Sequence, residues 1–295
     1  VISAIQTSTG EKVIASYTKK ENAPFLCPGC KSPVIIKKGL IKIHHFAHKA
    51  CKNCNSGSPE SELHMSCKLS IYNQINNLNK FENVEVEKII GDFIADVYAE
   101  CNGVKVAFEI QVSNMDVKKL LSKIKGYSKN KIYGFWVVPN YDMRNNERYS
   151  PKIWERLLHQ LYHGQIYYML KEGEIVSVTF KPYNLWKEAT DWGGGYYYTS
   201  KRYVKLKING VVDLADMIPK YHYKFFFSNI TFTGYILVPS NKKFESVYSR
   251  CKKLQLNRKW IGGRMTDEQV GARIGELKRD GTIAQLGDII QWYGK

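Results

Sequence analysis

The sequence predicts a mixed α/β protein: an αβββαβ core, preceded by a small metal-stapled N-terminal module and followed by an α+β C-terminal region. Three observations carry this. Apolar residues recur at helical spacing after residue 60 and again after residue 115. Between and beyond those segments lie runs rich in Val, Ile, Phe and Tyr, bounded by turn residues. Two C-x-x-C pairs stand in a polar N-terminal stretch with little hydrocarbon for a core of its own.

Within residues 1–57, "EKVIASY" and "PVIIKKG" read as short strands between glycine turns. A long helix then opens, with Ser58 as N-cap, Pro59 at the first helical position, and Glu60 and Glu62 facing the positive helix end. Leu63, Cys67, Ile71 and Ile75 form its buried stripe. Strands are expected at 84–90, 93–99 and 104–112, the last two joined by an Asn102-Gly103 turn. Ser113 or Asn114 caps a helix over 115–128, with Val117, Leu121 and Ile124 inward. "IYGFWVV" is continuously apolar, as a strand covered on both faces must be. Strand, helix and strand in succession imply a parallel pair. The core therefore spans 58–140.

From 141 to 295 the texture changes. A polar linker, "PNYDMRNNERYSPK", leads to a helix near 153–162. Aromatic strand pieces follow: "GQIYYML", "EIVSVTF", "YVKLKI", "YKFFF" and "TGYILV". "WGGGYYYTSKR" reads as a flexible basic loop, and "TDEQVGARIGELKRDG" as a late helix with Thr266 and Gln269 at capping-box spacing.

Lys plus Arg number 44 against 27 Asp plus Glu, a formal net charge of +17. Such an excess repels itself and fits a polyanionic partner. Nucleic acid is the leading expectation, and an anionic membrane surface the second. No apolar run approaches the roughly 18 residues that span a bilayer, and the opening residues show no secretion signal. The expectation is a cytoplasmic protein without membrane insertion. Seven cysteines, four of them in C-x-x-C pairs, point to metal in a reducing compartment rather than to disulfides.

Cys27, Cys30, Cys51 and Cys54 are the expected zinc ligands, the pairs being separated by twenty residues. Four closed ligands make a structural Zn²⁺ site that helps fold a region with little core. "HHFAH" lies between the pairs, so His45 or His48 can replace a cysteine. A rival reading is a His-metal nuclease finger built on His44, His45 and His48 with Asn53 and His64, but its spacing is poor.

"IADVYAECNGVKVAFEIQVS" places Asp96, Glu109 and Gln111 among residues that should be buried. Period-2 alternation puts Glu109 and Gln111 on one face of their strand, and a hairpin register can bring Asp96 beside Glu109. Two buried carboxylates repel unless a cation separates them. Mg²⁺ or Mn²⁺ would suit Asp96, Glu109 and the carbonyl of Ile110. Such an ion can activate water against a phosphodiester.

The αβββαβ order, with Asp in one strand and E-x-Q in the next, resembles the PD-(D/E)XK restriction-endonuclease-like fold. More narrowly, "FLCPGC", "KKGLIKIHHFAH", "ESELH", "IADV" and "AFEIQVS", in that order, resemble the competence protein CoiA family. "GFWVV" and "LYHGQIYYML" extend the likeness over roughly 25–170. The resemblance implies a metal-dependent DNA nuclease in DNA uptake, recombination or anti-phage defence, acting on single- or double-stranded DNA, with a recombination or defence protein as a further partner. It implies Asp96, Glu109 and Gln111 as the active-site core, with Glu60 and His64 contributed from the first helix. The usual third core residue is Lys; here it is Gln111, an amide that the resemblance still allows in an active site, and Lys105, on the same strand face, or Lys118, on the following helix, could supply the charge. That departure favours the alternative of a catalytically inactive DNA-binding adaptor. An RNA-directed protein is a third reading.

In the C-terminal half, residues 249–264 hold six Lys/Arg and no acid. Lys252, Lys253, Arg258, Lys259 and Trp260 there, with Lys201 and Arg202, are the expected nucleic-acid contacts.

Overall fold

The computed structural model describes residues 1–48, 54, 60–140, 148–162, 164–171, 173–227 and 230–240, without the side chains of 221–233. Ser58, Pro59, Cys51, the linker after 140, the helix expected after Thr266, and Lys252, Lys253, Arg258, Lys259 and Trp260 lie outside the described residues. The chain divides into two compact units, Val1–Ser113 with Asn130–Pro139, and Asn114–Lys129 with the segment from Asn140 onward.

In the first unit, β1 (Ser3–Gln6), β2 (Lys12–Ile14), β3 (Phe25–Leu26), β4 (Pro33–Lys37) and β5 (His45–His48) form an antiparallel sheet in the order β2-β1-β3-β4-β5. Its core is small: Ala4, Ala15, Phe25, Cys27, Val34 and Phe46, with the Phe25 and Phe46 rings edge to face at 5.1 Å.

Helix α1 (Glu62–Asn76) begins three residues later than Ser58 implied a cap. Ser61 is the N-cap, its hydroxyl accepting from His64 N at 3.2 Å. Two serines with equal capping chemistry stand at 58 and 61, and local sequence does not choose between them. Met65, Cys67, Lys68, Ile71 and Ile75 are buried along α1, which packs on β6 (Phe81–Ile90), β7 (Phe93–Cys101) and β8 (Val104–Ile110). These three strands are antiparallel neighbours. Asn102 (φ 50°) and Gly103 (φ 74°) make the β7–β8 turn, both in the left-handed region that a two-residue hairpin demands. After α2 (Val117–Lys129) the chain enters β9 (Tyr133–Pro139), which pairs with β8 in parallel. Helix, three strands, helix and strand thus succeed one another, and Phe108 is packed edge to face between Phe81 and Phe135.

In the second unit, α2 buries Leu120, Leu121, Ile124 and Tyr127. α3 (Ile153–Leu161) is stapled by Glu155, which accepts from Lys152 N (2.7 Å), Tyr149 OH (2.6 Å) and Tyr168 OH (3.0 Å). β10 (Ile166–Met169), β11 (Ile175–Lys187) and β12 (Tyr196–Val211) are antiparallel neighbours, and β13 (Met217–Phe227) pairs with β14 (Ile230–Pro239). The expected loop "WGGGYYYTSKR" is a loop only at its start. From Tyr196 it is strand, because Asn184–Lys187 of β11 supply a partner ladder that the glycine run conceals.

His159 of α3 is buried, stacks on Phe180 at 4.4 Å and accepts from Phe180 N at 3.2 Å. Burial first, and then the Arg156 charge, push its pKa down to about 3. The unfolded chain therefore binds a proton that the folded one excludes, so stability is full above about pH 6.5 and falls as pH drops toward 3. Urea denaturation should show a loss of about 1.4 kcal/mol per pH unit in that window, and the His159→Gln variant should lack this component. Parallel slopes for the two proteins would refute the assignment.

Candidate functional site

Among the described residues, two groups of side chains bring metal-ligand atoms within 4.8 Å of one another: Cys27, Cys30, His48 and Cys54, and Glu60, His64 and Asp96.

The first group grows out of the N-terminal sheet. Cys27 follows β3 and opens a tight knuckle in which Cys27 N donates to Ser32 O (2.9 Å) and Lys31 N to Cys27 O (3.0 Å). This turn aims Cys27 and Cys30 to one side. His48 ends β5 and is brought alongside by the β4–β5 ladder, where it pairs with Val34. Cys27 Sγ lies 3.7 Å from Cys54 Sγ, and Cys30 Sγ lies 3.3 Å from His48 Nε2. A tetrahedral ion with Zn–S of about 2.3 Å and Zn–N of about 2.0–2.1 Å sets its ligand atoms about 3.5–3.8 Å apart. Hydrogen bonds from Ser32, against the opposing effect of burial and with help from Cys54 and His48, pull the Cys30 thiol down to about 5, toward the thiolate form that binds metal. The cluster fits a structural metal such as zinc. Of the alternates, His48 stands in it. His45 is turned instead toward Ile43 O, with Nδ1 at 2.9 Å. His64 belongs to the other group, which removes the helix residue that a His-metal finger would need.

The second group answers why strands carry acids where a core wants hydrocarbon. The pairs Val86↔Val97 and Lys88↔Ala95 set position 87 opposite position 96. The pair Val97↔Phe108 sets 109 opposite 96 on the other side. Glu87, Asp96 and Glu109 thus form one row across β6, β7 and β8. Glu87 and Glu109 are buried. Helix α1 lays a cation beside this row: Lys68 is 2% exposed, with Nζ 2.8 Å from Glu87 Oε1 and 4.0 Å from Asp96 Oδ1, and it contacts Glu60 Oε1 as well. Burial works against the Lys68 charge, but Glu87, Asp96 and Glu60 together raise its pKa above the ordinary lysine value.

Glu60 precedes α1 rather than lying on it, yet still meets His64. His64 Nδ1 is 2.7 Å from Glu60 Oε1, and Nε2 is 3.1 Å from Asp96 Oδ2. Burial disfavours the His64 cation, but hydrogen bonds to Asp96 and Glu60 outweigh it and raise the pKa to about 9. Burial likewise opposes the Glu60 charge, and the His64 hydrogen bond and Lys68 hold Glu60 at about 2. Ile110 joins this group through its amide, which donates to Asp96 Oδ2 at 2.8 Å. Gln111, two residues on from Glu109 and just past β8, is buried. Its Nε2 donates to Ser113 O (2.6 Å) and its backbone N to Val137 O (2.9 Å).

The donor set fits a hard divalent ion. It offers carboxylates and an imidazole, and Glu60 Oε2 is buried with no hydrogen-bond partner among the described residues, the Val1 ammonium lying 3.9 Å from it.

Lys105 is exposed and pairs with Glu100 near the hairpin turn, and Lys118 is exposed at the start of α2. The lysine that the structure places beside the row is Lys68. Its signal in the sequence was weak: a lysine four residues after His64, between the buried Cys67 and Ile71. Glu87 gave none, because its φ of 52° breaks the strand alternation that would have marked it. Glu87 also ties the two sheets together, accepting from Ile2 N (2.9 Å), Ser3 N (3.0 Å) and Ser3 Oγ (2.6 Å). Of the basic residues expected on nucleic acid, Lys201 and Arg202 are described, both exposed on β12.

Two family models match the chain in tandem: the N-terminal domain of competence protein CoiA over residues 8–57, and the nuclease-like domain of competence protein CoiA over residues 60–179. The chain belongs to the CoiA family. The first CoiA model ends just after Cys54, the last residue of the cysteine–histidine cluster, and the second begins at Glu60, the first residue of the acidic one. A CoiA relative, the competence protein CoiA of Bacillus subtilis (strain 168), is 26% identical over 121 residues, which are 41% of this chain and 32% of that protein. The matched stretch thus spans about a third of the relative's length. No solved structure matches the chain significantly. Among the described residues no helix is long and apolar enough to cross a membrane.

Proposed function

We propose that this CoiA-family chain is a Mg²⁺- or Mn²⁺-dependent deoxyribonuclease of the restriction-endonuclease-like class, acting on DNA during uptake, recombination or defence. The observation that carries the reading is the second cluster: Glu60, His64 and Asp96 converge beside the buried Glu87 and Glu109, with one buried Glu60 oxygen left without a hydrogen-bond partner among the described residues. Glu60, His64 and Asp96 would hold the ion, with Glu109 across from Asp96 as a further oxygen ligand. When bound, the ion supplies an activated water and offsets charge on the phosphodiester. The chain's own residues do the rest. Ile110 N–H fixes Asp96 Oδ2. Lys68 keeps Glu60, Glu87 and Asp96 ionised together. Gln111, released from Ser113, would orient the attacking water. The setting is cytoplasmic, a recombination or defence protein is a further partner, and the cysteine–histidine cluster holds zinc as scaffold.

Incubation with single- and double-stranded DNA in Mg²⁺ or Mn²⁺ tests this. Wild type should cut, and Asp96→Asn and Glu109→Gln should each cut at least about 100-fold more slowly while binding DNA as before. A wild type that binds but never cuts would leave the second reading, a non-cutting recombination adaptor. That reading has its own observation: Gln111 replaces a lysine, and its amide is engaged by Ser113 O.

A further inference from the structure

Among the described residues the exposed aromatic rings gather at 186–198, with Tyr17 the exception. Phe25, Phe108, Phe135, Trp136 and Tyr167 are buried, but Trp186, Trp192, Tyr196, Tyr197 and Tyr198 are all at least 45% exposed. They sit at the closed end of the β11–β12 ribbon. Trp186 pairs with Tyr197 on one face, and Lys187 with Tyr196 and Leu185 with Tyr198 on the other. Both faces therefore present rings to solvent.

This end is built rather than loose. Thr190 and Gly193 exchange backbone hydrogen bonds of 2.9 and 3.0 Å, closing a turn whose apex carries Trp192, 98% exposed. Gly195 lies directly under Trp186, where a Cβ would fall 2.2 Å from Cζ2 of the indole. Tyr197 meets the same indole with ring centroids 4.8 Å apart, so Trp186 is held in place while about half of it faces water. The surrounding charge is basic: residues 181–207 hold six Lys/Arg against Glu188 and Asp191. Lys187 lies 5.6 Å from the Tyr196 centroid and Arg202 lies 5.2 Å from that of Tyr203.

Exposed rings in a basic ribbon match an anionic polymer with free π-faces. In duplex DNA the base faces already stack on one another, and only unpaired bases can stack on protein rings. We propose that the closed end of the β11–β12 ribbon is a stacking arm for single-stranded DNA, with Trp192, Trp186 and Tyr197 as platforms and Lys187, Lys201 and Arg202 neutralising phosphates. The arm deepens the nuclease reading by naming the strand form, and takes only DNA as the polymer from it.

Binding of fluorescent oligo-dT, a mixed-sequence duplex of equal length, and oligo-U to the full-length chain, without added divalent cation, tests the arm apart from cleavage. Wild type should bind oligo-dT at least about tenfold tighter than the duplex, with quenching of tryptophan fluorescence. Trp192→Ala/Tyr197→Ala should weaken oligo-dT binding by about 30-fold or more and leave duplex binding within about twofold. Gly195→Ala keeps every ring and charge but displaces Trp186, and should weaken oligo-dT binding several-fold with the melting temperature unchanged. Equal losses on duplex and single strand, no loss in the double variant, or tighter binding of oligo-U would overturn the proposal. Absence of cleavage by a wild type that passes these tests would sink the nuclease and leave the arm standing.

Discussion

Cys27→Ser protein should emerge from purification with less than about a tenth of the zinc of wild type, and with β1–β5 stripped of hydrogen-exchange protection. The cost is large because the N-terminal sheet has little else. Its core is six residues, two of them alanine, and one of the six is Cys27 itself. Structural zinc contributes about 10–16 kcal/mol of apparent folding free energy in comparably small modules. The damage should spread past the sheet. Ile2 N, Ser3 N and Ser3 Oγ all donate to Glu87, which lies in the acidic row. Once β1 leaves, Glu87 keeps its Lys68 contact but loses three donors in a buried setting, so β6 should lose protection too. Metal analysis with exchange mass spectrometry reads both effects. A Cys27→Ser chain that keeps stoichiometric zinc, or that loses zinc with β1–β5 still protected, would show that the cluster does not hold the sheet.

The parts of the molecule written in local rules were legible before its structure. The β7–β8 hairpin follows from strict alternation around Asn102-Gly103, and the α1 stripe from Cys67, Ile71 and Ile75 at four-residue spacing. His48 could be named as an alternate ligand because it lies between two C-x-x-C pairs. What was not legible depends on pairing between distant segments. Glu87 looks like the solvated half of an alternating strand until its positive φ and the β6–β7 register turn it toward Lys68. Tyr196–Tyr198 look like loop after three glycines until β11 supplies the ladder. Lys68 stands four residues after His64, on the same side of the helix, but its burial contradicts the composition rule for lysine, and the three facing carboxylates justify it.

Those carboxylates make Lys68 the most consequential single charge in the described chain. Lys68→Met keeps the aliphatic stem and deletes the ammonium. Glu60 and Asp96 then keep their contacts to His64, whereas Glu87 loses the ammonium that faces it at 2.8 Å. Removing one partner from a buried ion cluster costs about 3–5 kcal/mol, because the remaining charge is neither solvated nor paired. Urea denaturation of Lys68→Met should show a loss of that size. Adding Glu87→Gln, which deletes the charge that Lys68 faces at 2.8 Å, should restore a substantial part, whereas the same Gln change in wild type should destabilise. The variant also separates a structural lysine from one that serves the site. A lost cation makes the cluster more negative, so Mn²⁺ should bind Lys68→Met more tightly than wild type even as cleavage falls. A stability loss under about 1 kcal/mol, or Mn²⁺ affinity that falls in a folded Lys68→Met chain, would mean that the acidic row is not held together by this residue.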